Sequence, residues 1–118
     1  MAKFMLLLYD DPASFATMSP EQIQKVIEKY MAWGARLKKA GVWSASHKLT
    51  DEPGKVMRGK GPGVRVTDGP YSETKEILGG YYLIEVESYD QAMDQARDCP
   101  HLEYGGTIEV RQVDNMGA

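Results

Sequence analysis

The stretch from Thr67 to Gly80, TDGPYSETKEILGG, concentrates polar side chains between two segments with strand-like composition. Asp68, Gly69 and Pro70 are typical of a turn, because Asp accepts hydrogen bonds from nearby amides and Gly adopts positive φ. A set of chemically active groups follows: a phenol, two hydroxyls, two carboxylates and an amine, supplied by Tyr71, Ser72, Glu73, Thr74, Lys75 and Glu76. These groups could bind a small molecule and move a proton.

Asp68 is the candidate general base of this loop. A carboxylate beside an aromatic ring and under a subunit interface is partly desolvated, which raises its pKa from about 3.9 toward neutrality. Lys75 is the second candidate catalytic residue, because a compact ammonium could hold a substrate carboxylate or stabilise an enolate. Structural alternatives remain open: Asp68 could hold the turn by hydrogen bonds, and Lys75 could pair with Glu73 or Glu76 in solvent.

The candidate substrate-binding residues lie in this loop and in two strands. Tyr71 and Glu73 are the loop members, and Tyr71 could help Lys75 to stabilise charge. Tyr9 closes the first predicted strand, where Asp10 and Asp11 follow it. Paired acids could bind a cation or share a proton, although the proline after them favours a solvated turn.

His47 is the fourth candidate for substrate binding. Strict alternation along the second predicted strand places it on the same face as Trp43, Ala45 and Leu49. An imidazole there could act as an acid or base near neutral pH, but a hydrogen-bonded core histidine is the favoured alternative. His101, in the loop after Pro100, carries less information.

Composition excludes several classes of function. The single Cys99 allows neither an intrachain disulfide nor a cysteine metal cage, and two distant histidines give no metal-ligand spacing, so we expect no metal and no cofactor. Acids outnumber bases by 17 to 14, which argues against a nucleic-acid partner. The apolar run from Phe4 to Tyr9 is too short to span a membrane, and a cytoplasmic location is expected.

Two amphipathic helices are predicted. The first begins at the cap Ser19, with Pro20 after it and Gln22 completing a capping box, and stops at Gly41. Its residues at three- and four-residue spacing define one face: Ile23, Val26, Ile27, Tyr30, Met31, Gly34 and Leu37. The second helix follows Ser88, ends before Pro100, and is expected to bury Tyr89, Ala92, Met93 and Ala96.

Six strand-like runs accompany the helices, at residues 3–9, 42–50, 56–58, 64–67, 80–86 and 107–113. Turn signals separate the middle strands. Among them, RGKGPG, residues 58–63, resembles a phosphate cradle in composition, but a hairpin tip explains it better because no Walker pattern is present. The order of elements predicts one α+β domain over residues 1–118, ferredoxin-like, with an antiparallel sheet, two helices on one face and a hairpin insertion.

The opening strand, Phe4 to Tyr9, is apolar at nearly every position, so both of its faces need cover. Two helices shield only one face of a sheet. We therefore expect a homodimer in which a second copy covers the other face, sheet against sheet.

The chain resembles the DGPF-domain proteins, a branch of the YCII-related superfamily. The resemblance covers FMLLLYDDP, SPEQ, YMAW and AGV in the first half, then VTDGPYSETKEILGGYYLIEV, QAMDQARDCP and YGGTIEVRQV. Tyr71 replaces the phenylalanine of the family name and keeps the aromatic ring. The resemblance implies a fold of the dimeric α+β barrel type, and Asp68 matches the motif aspartate.

The resemblance also frames two hypotheses about function. In the wider superfamily an Asp and a His lining a small cleft are proposed as an acid–base pair, which implies a cofactor-free isomerase or lyase acting on small ring compounds. Many members are encoded beside extracytoplasmic-function sigma factors, which implies a ligand sensor or a partner of a regulator protein without catalysis. A dimeric scaffold with a purely structural loop is the third reading.

Overall fold

The computed structural model describes residues 1–69 and 76–115. Within this part of the chain, six strands and three helices follow one another in the order β1 (Ala2–Asp10), α1 (Pro20–Lys39), β2 (Trp43–Lys48), β3 (Lys55–Arg58), β4 (Arg65–Asp68), β5 (Ile77–Val86), α2 (Tyr89–Ala96), α3 (Pro100–Glu103) and β6 (Thr107–Gln112). Short 3-10 turns at Pro12–Phe15 and Gly61–Gly63 complete the regular structure.

The main sheet is antiparallel and has the strand order β2-β5-β1-β6. Strands β3 and β4 form a separate two-stranded sheet, inserted between β2 and β5. Without this insertion, the order of strands and helices is that of the ferredoxin-like α+β fold, which confirms the predicted fold class. The predicted hairpin insertion is confirmed as well.

The ends of α1 follow the sequence signals closely. Ser19 Oγ accepts a hydrogen bond from the Gln22 amide, and Gln22 Oε1 accepts one from the Ser19 amide, so the capping box is complete. Gly41 has a φ of 77°, which is the left-handed stop expected after the helix. The start of α2 is also capped as predicted, because Ser88 accepts a hydrogen bond from the Gln91 amide.

The hydrophobic core lies between the helices and one face of the main sheet, which we call the inner face. Phe4, Leu6 and Leu8 of β1 point into it from the centre of the sheet. Ile84 and Val86 of β5 join them, and the helices contribute Trp33, Leu37, Ala92 and Ala96. Tyr82 lies under Trp33 in an edge-to-face contact with ring centroids 4.6 Å apart.

The buried stripes of both helices differ from the predicted ones. In α1 the buried residues are Val26, Trp33 and Leu37, whereas Ile23, Ile27 and Met31 are exposed. In α2 only Ala92 and Ala96 are buried, and Tyr89 and Met93 stay partly in solvent. Trp33 packs on Tyr82 of β5 and lies on the side of α1 that faces the sheet, while the apolar residues on the flank of α1 stay uncovered.

The opposite side of the main sheet, which we call the outer face, carries a patch of half-buried apolar side chains. Direct pairing places Met5 beside Leu83, and Leu7 beside Tyr81. Ala45 of β2 also pairs with Leu83. All helices of the described chain contribute their buried residues to the inner side, so this apolar patch faces solvent in one copy of the chain.

The β3–β4 hairpin projects from the edge of the main sheet. The hydrogen bond from the Gly69 amide to the Gly54 carbonyl closes its base at 2.9 Å. Gly69 has a φ of 71°, and a Cβ there would lie 2.7 Å from Cβ of Pro53, so this turn requires glycine. The molecule is a flat slab with extents of 47 × 47 × 18 Å.

Candidate functional site at one end of the sheet

Polar residues converge where β1 and β2 end and where β5 and β6 begin. Because the strands are antiparallel, these four ends meet at the same side of the sheet. Asp10 and Lys48 are the last residues of β1 and β2, and Glu76 directly precedes β5. Thr107, the first residue of β6, donates a hydrogen bond to Glu76 at 3.0 Å, and His101 of α3 lies behind Asp10. We call this group of five residues the polar end.

Asp10 is the half-buried acid of the polar end. A register shift between Leu8 and Tyr9 leaves Gly79 as an extra residue on β5, and a Cβ at Gly79 would lie only 3.2 Å from Asp10 Oδ1. Burial raises the pKa of the Asp10 carboxyl above its ordinary value, while His101 and Lys48 act in the opposite direction. The bulge therefore holds a carboxyl with a raised pKa beside two basic side chains.

His101 is buried, and both of its ring nitrogens are engaged by protein groups. Nε2 lies 2.6 Å from the Tyr9 carbonyl oxygen, so Nε2 carries a proton and donates it. Nδ1 lies 2.7 Å from Tyr30 Oη, and the two atoms share a hydrogen bond. A Cβ on Gly106 would lie 2.3 Å from His101 Nε2, so glycine is required beside the ring. His101 thus fixes the backbone at Tyr9 and positions Asp10, and it has no nitrogen left for a ligand.

Tyr30 and Cys99 flank this histidine, and burial keeps both of them protonated. Burial raises the pKa of the Tyr30 phenol, which therefore remains a hydrogen-bond donor at neutral pH. Burial likewise raises the pKa of the Cys99 thiol to about 11. Cys99 directly precedes the short helix α3, and its buried thiol stays protonated.

Two of the predicted binding residues, Tyr9 and His47, lie on the outer face close to the polar end. The Tyr9 hydroxyl donates to Glu109 Oε1 at 3.2 Å, and burial raises the pKa of this phenol. His47 is exposed, and its Nδ1 lies 2.7 Å from Tyr81 Oη. The predicted alternation of His47 with Trp43 is wrong, because a register shift between Trp43 and Ala45 turns Trp43 to the inner face.

Asp68, the predicted base, lies at the end of the hairpin strand β4 and not at the polar end. Its carboxylate is exposed and forms an ion pair with Lys55 on the opposite strand. The other predicted loop residues, Tyr71, Glu73 and Lys75, lie outside the described residues. The described residues resume at Glu76, and Ile77 pairs directly with Asp10. The roles predicted for Asp68 and Lys75 stay predictions.

Sequence signals for the residues that form this site are weak. The sequence indicates Asp10 only as a member of an acid pair, and Tyr30 only as a member of a helix face. His101 lies in a stretch of sequence without periodicity, so no pattern reveals its burial. One usable signal exists: the glycine pair Gly105–Gly106 leaves the space that the buried imidazole requires.

A shallow groove of about 310 Å³ lies elsewhere, between α1 and the segment around α3. Its polar side chains bond mainly to one another. Arg36 donates to Asp98 at 2.8 Å and to the Gln95 carbonyl at 3.0 Å, and the Trp33 indole also donates to Asp98. These internal bonds occupy most of the groove's polar groups, although the buried Arg36 Nε has no hydrogen-bond partner among the described residues, and the groove is therefore a poorer candidate for ligand binding than the polar end.

Residues 1–69 and 76–115 contain neither a cluster of metal-binding side chains nor a helix that could span a membrane. No group of three or more His, Cys, Asp or Glu side chains is placed so that it could hold a metal ion. None of the helices in these residues has the length and apolar character that a membrane crossing requires.

The chain belongs to the family of the YCII-related domain, whose family model matches residues 2–116. Among curated proteins, it is similar to an uncharacterized protein from Rhizobium meliloti (strain 1021). The two are 32% identical over 112 residues, which is 93% of this chain and 90% of the relative.

A solved structure with the same fold is 5-chloro-2-hydroxyhydroquinone dehydrochlorinase (TftG) from Burkholderia phenoliruptrix AC1100, in complex with 2,5-dihydroxybenzoquinone. The TM-score is 0.57 at 18% sequence identity, and the match covers 95% of this chain and 93% of that one. At this identity, the similarity establishes the fold.

Replacing Asp10 with Asn should stabilise the protein at neutral pH. Because the folded-state pKa lies above the ordinary value of 3.8, the ionised carboxylate costs folding free energy above the folded-state pKa, and the cost vanishes below 3.8. The variant should therefore have the higher Tm at neutral pH, and its advantage should shrink as the pH falls toward 3.8. Thermal unfolding across this range checks the prediction, with the exposed Glu52→Gln variant as control. An advantage independent of pH would contradict it.

Two tyrosines that bond a histidine Nδ1 at the same 2.7 Å distance offer a matched comparison. Tyr30→Phe removes the donor to buried His101 and should lower the free energy of unfolding by about 1–3 kcal/mol. Tyr81→Phe removes the partner of exposed His47, where water can substitute, and should cost less than about 1 kcal/mol. Urea denaturation of both variants measures the difference. Equal losses would refute the structural role assigned to His101.

Proposed function

We propose that this protein binds a small hydroxylated ring compound at the polar end and transfers a proton on it without a cofactor, as an isomerase or lyase. The observation that carries the proposal is the placement of Asp10: a half-buried carboxyl, held at a bulge and backed by a fully bonded histidine. Bulges commonly redirect side chains next to active sites. The coarser part of the proposal, a role in small-molecule binding or catalysis, is also supported by the dehydrochlorinase that shares the fold.

Asp10 is the proposed general base. Its raised pKa brings the carboxylate closer to the working pH, where a general base is most effective. It would take a proton from a carbon or oxygen that a neighbouring carbonyl makes acidic, and the electron pair would move to the carbonyl oxygen. The proton then returns at another atom in an isomerase, or a leaving group departs in a lyase.

Basic groups near Asp10 support the anionic intermediate that such a reaction forms. Lys48 lies at the polar end, where its ammonium donates to the Leu49 carbonyl and to Asp51 at 3.0 Å. Lys75 directly precedes Glu76 in the sequence, so we retain Lys75 as a proposed charge-stabilising residue. Tyr9, His47, Tyr71 and Glu73 remain proposed contacts to the substrate, and Asp68 remains the alternative base.

We also propose that the protein is a homodimer whose copies pack through their outer faces. The patch formed by Met5, Leu7, Ala45, Tyr81 and Leu83 is apolar at its centre. Polar groups surround it, including the Tyr9–Glu109 hydrogen bond and the contact of Arg111 with Glu109. An apolar centre with a polar rim is typical of protein interfaces.

The proposed base can be tested against the alternative base in one experiment. Purified protein is incubated with 5-chloro-2-hydroxyhydroquinone, and chloride release is recorded, while calorimetry measures binding of 2,5-dihydroxybenzoquinone. Asp10→Asn should lower the turnover by about 10²–10⁴-fold, the usual contribution of a general base. Asp68→Asn should leave turnover close to that of the wild type, because its carboxylate is exposed and paired with Lys55.

The opposite ranking of the two variants would transfer the role of base to Asp68. Wild-type binding without turnover would refute catalysis on this compound and favour the ligand-sensor hypothesis, in which the same end of the sheet binds a small molecule and the surface contacts a regulator protein. Absence of both binding and turnover would refute the proposed class of ring compound.

The dimer prediction concerns Leu7, at the centre of the outer face. Leu7→Lys places a charge in the proposed interface and should raise the dimer dissociation constant by about 100-fold, the equivalent of roughly 3 kcal/mol. The control is Ile27→Lys, on the exposed flank of α1, which should change the dimer dissociation constant little. Sedimentation velocity at several protein concentrations measures both. A wild-type protein that stays monomeric would disprove the dimer.

A further inference from the structure

The β3–β4 hairpin is unusual in how little it buries. Met57 and Val66 are directly paired across the two strands, and their side chains are 68% and 58% exposed. An isolated two-stranded hairpin is at best marginally stable in water. Packing beyond its own two strands would stabilise this hairpin, and the exposed Met57–Val66 pair is an apolar surface available for that packing.

The hairpin also differs from the rest of the chain in charge. Lys55, Arg58, Lys60 and Arg65 lie within it, and no acid occurs between Asp51–Glu52 and Asp68. The chain has 14 bases and 17 acids in total, and the hairpin contains one of the acids, Asp68, so outside the hairpin 16 acids face 10 bases. A surface with an excess of negative charge thus exists on every copy of this protein, and the hairpin is complementary to it.

We infer that residues 55–68 form a docking arm that packs against a second copy of this chain, with Met57 and Val66 as apolar anchors and the arm's bases facing the acidic surface of that copy. The inference rests on the proposed homodimer. It adds a second contact region to that dimer, because the arm follows β2, an edge strand of the main sheet, in the chain.

A second copy fits the arm better than a nucleic acid does. Four bases form a small positive surface, and two exposed apolar side chains lie between them, where a phosphate backbone offers no apolar partner. A protein surface offers both an apolar contact and carboxylates. The dimensions are compatible with this contact. Each copy is only 18 Å thick, so a hairpin beside the sheet of one copy would need to extend only a short distance to reach a second copy stacked on that sheet.

The arm variant M57T/V66T tests the inference, since threonine keeps the β-strand propensity and removes most of the apolar area. Met31→Gln is the matched control, because Met31 on α1 has the same exposure of 68% as Met57. Sedimentation velocity should show a dimer dissociation constant at least about tenfold higher for the arm variant, and an unchanged one for the control. The wild-type dimer should also weaken with rising salt, since its basic arm contributes.

A cross-linking experiment covers the case in which the arm variant loses its local structure. A photoreactive benzoylphenylalanine is placed at position 57 or, as control, at position 31, and isotopically labelled and unlabelled chains are mixed. Mass spectrometry should find mixed-isotope cross-links from position 57 and none from position 31. Cross-links confined to one chain would overturn the inference.

The outcomes separate this inference from the proposed dimer. If Leu7→Lys dissociates the dimer while M57T/V66T dimerises like the wild type, the arm inference fails and the sheet-to-sheet dimer stands. If the wild type is monomeric, the dimer fails and the arm inference fails with it. A monomer whose arm binds duplex DNA would assign the arm to a nucleic acid instead.

Discussion

The central position of β1 is the constraint on which the rest of this structure depends. Paired on both edges, β1 satisfies its backbone hydrogen bonds with β5 and β6 and sends Phe4, Leu6 and Leu8 into the core. Burying three large side chains of this kind stabilises the fold by about 5–9 kcal/mol before conformational entropy is counted. Because side chains alternate along a strand, the same geometry presents Met5 and Leu7 on the outer face. One apolar strand thus contributes to the core on one face and, on the other, to the apolar patch that we propose a second copy covers.

The end of the same strand carries Asp10, the candidate base, at a point where the register between β1 and β5 shifts by one residue. The extra residue Gly79 disturbs the register just before Asp10, and such a disturbance would leave the strand end poorly defined. His101 corrects this by holding the Tyr9 carbonyl from behind, while Tyr30 fixes the ring of His101. A buried chain of hydrogen bonds therefore makes the position of Asp10 specific. The histidine serves the site by orienting it, which is a different role from that of a free acid or base.

The sequence predicts the elements of this fold well, because caps, turn residues and alternation are local signals. The capping box at Ser19 and the stop at Gly41 are confirmed, and β1 lies mid-sheet as its apolar character predicts. Helix faces are less predictable, since α1 buries Val26, Trp33 and Leu37 and leaves Ile23, Ile27 and Met31 exposed, a choice that hydrophobicity alone does not make. The polar end is the least predictable part: Asp10 and His101 are 91 residues apart, and only the folded sheet brings them together.

Two stacked copies would turn this slab into four layers, with helices outside and two sheets about 10 Å apart inside. The outer faces would then be dry at their centre, where Leu7 and Leu83 lie, and polar at the rim, where Tyr9 and Glu109 lie. Asp10 follows Tyr9 along the strand and therefore lies on the inner side, toward His101, so pairing through the outer faces would leave its solvation largely unchanged. The burial that raises the pKa of Asp10 is present within one copy. The proposed dimer contact and the proposed general base would thus occupy opposite faces of the same strand.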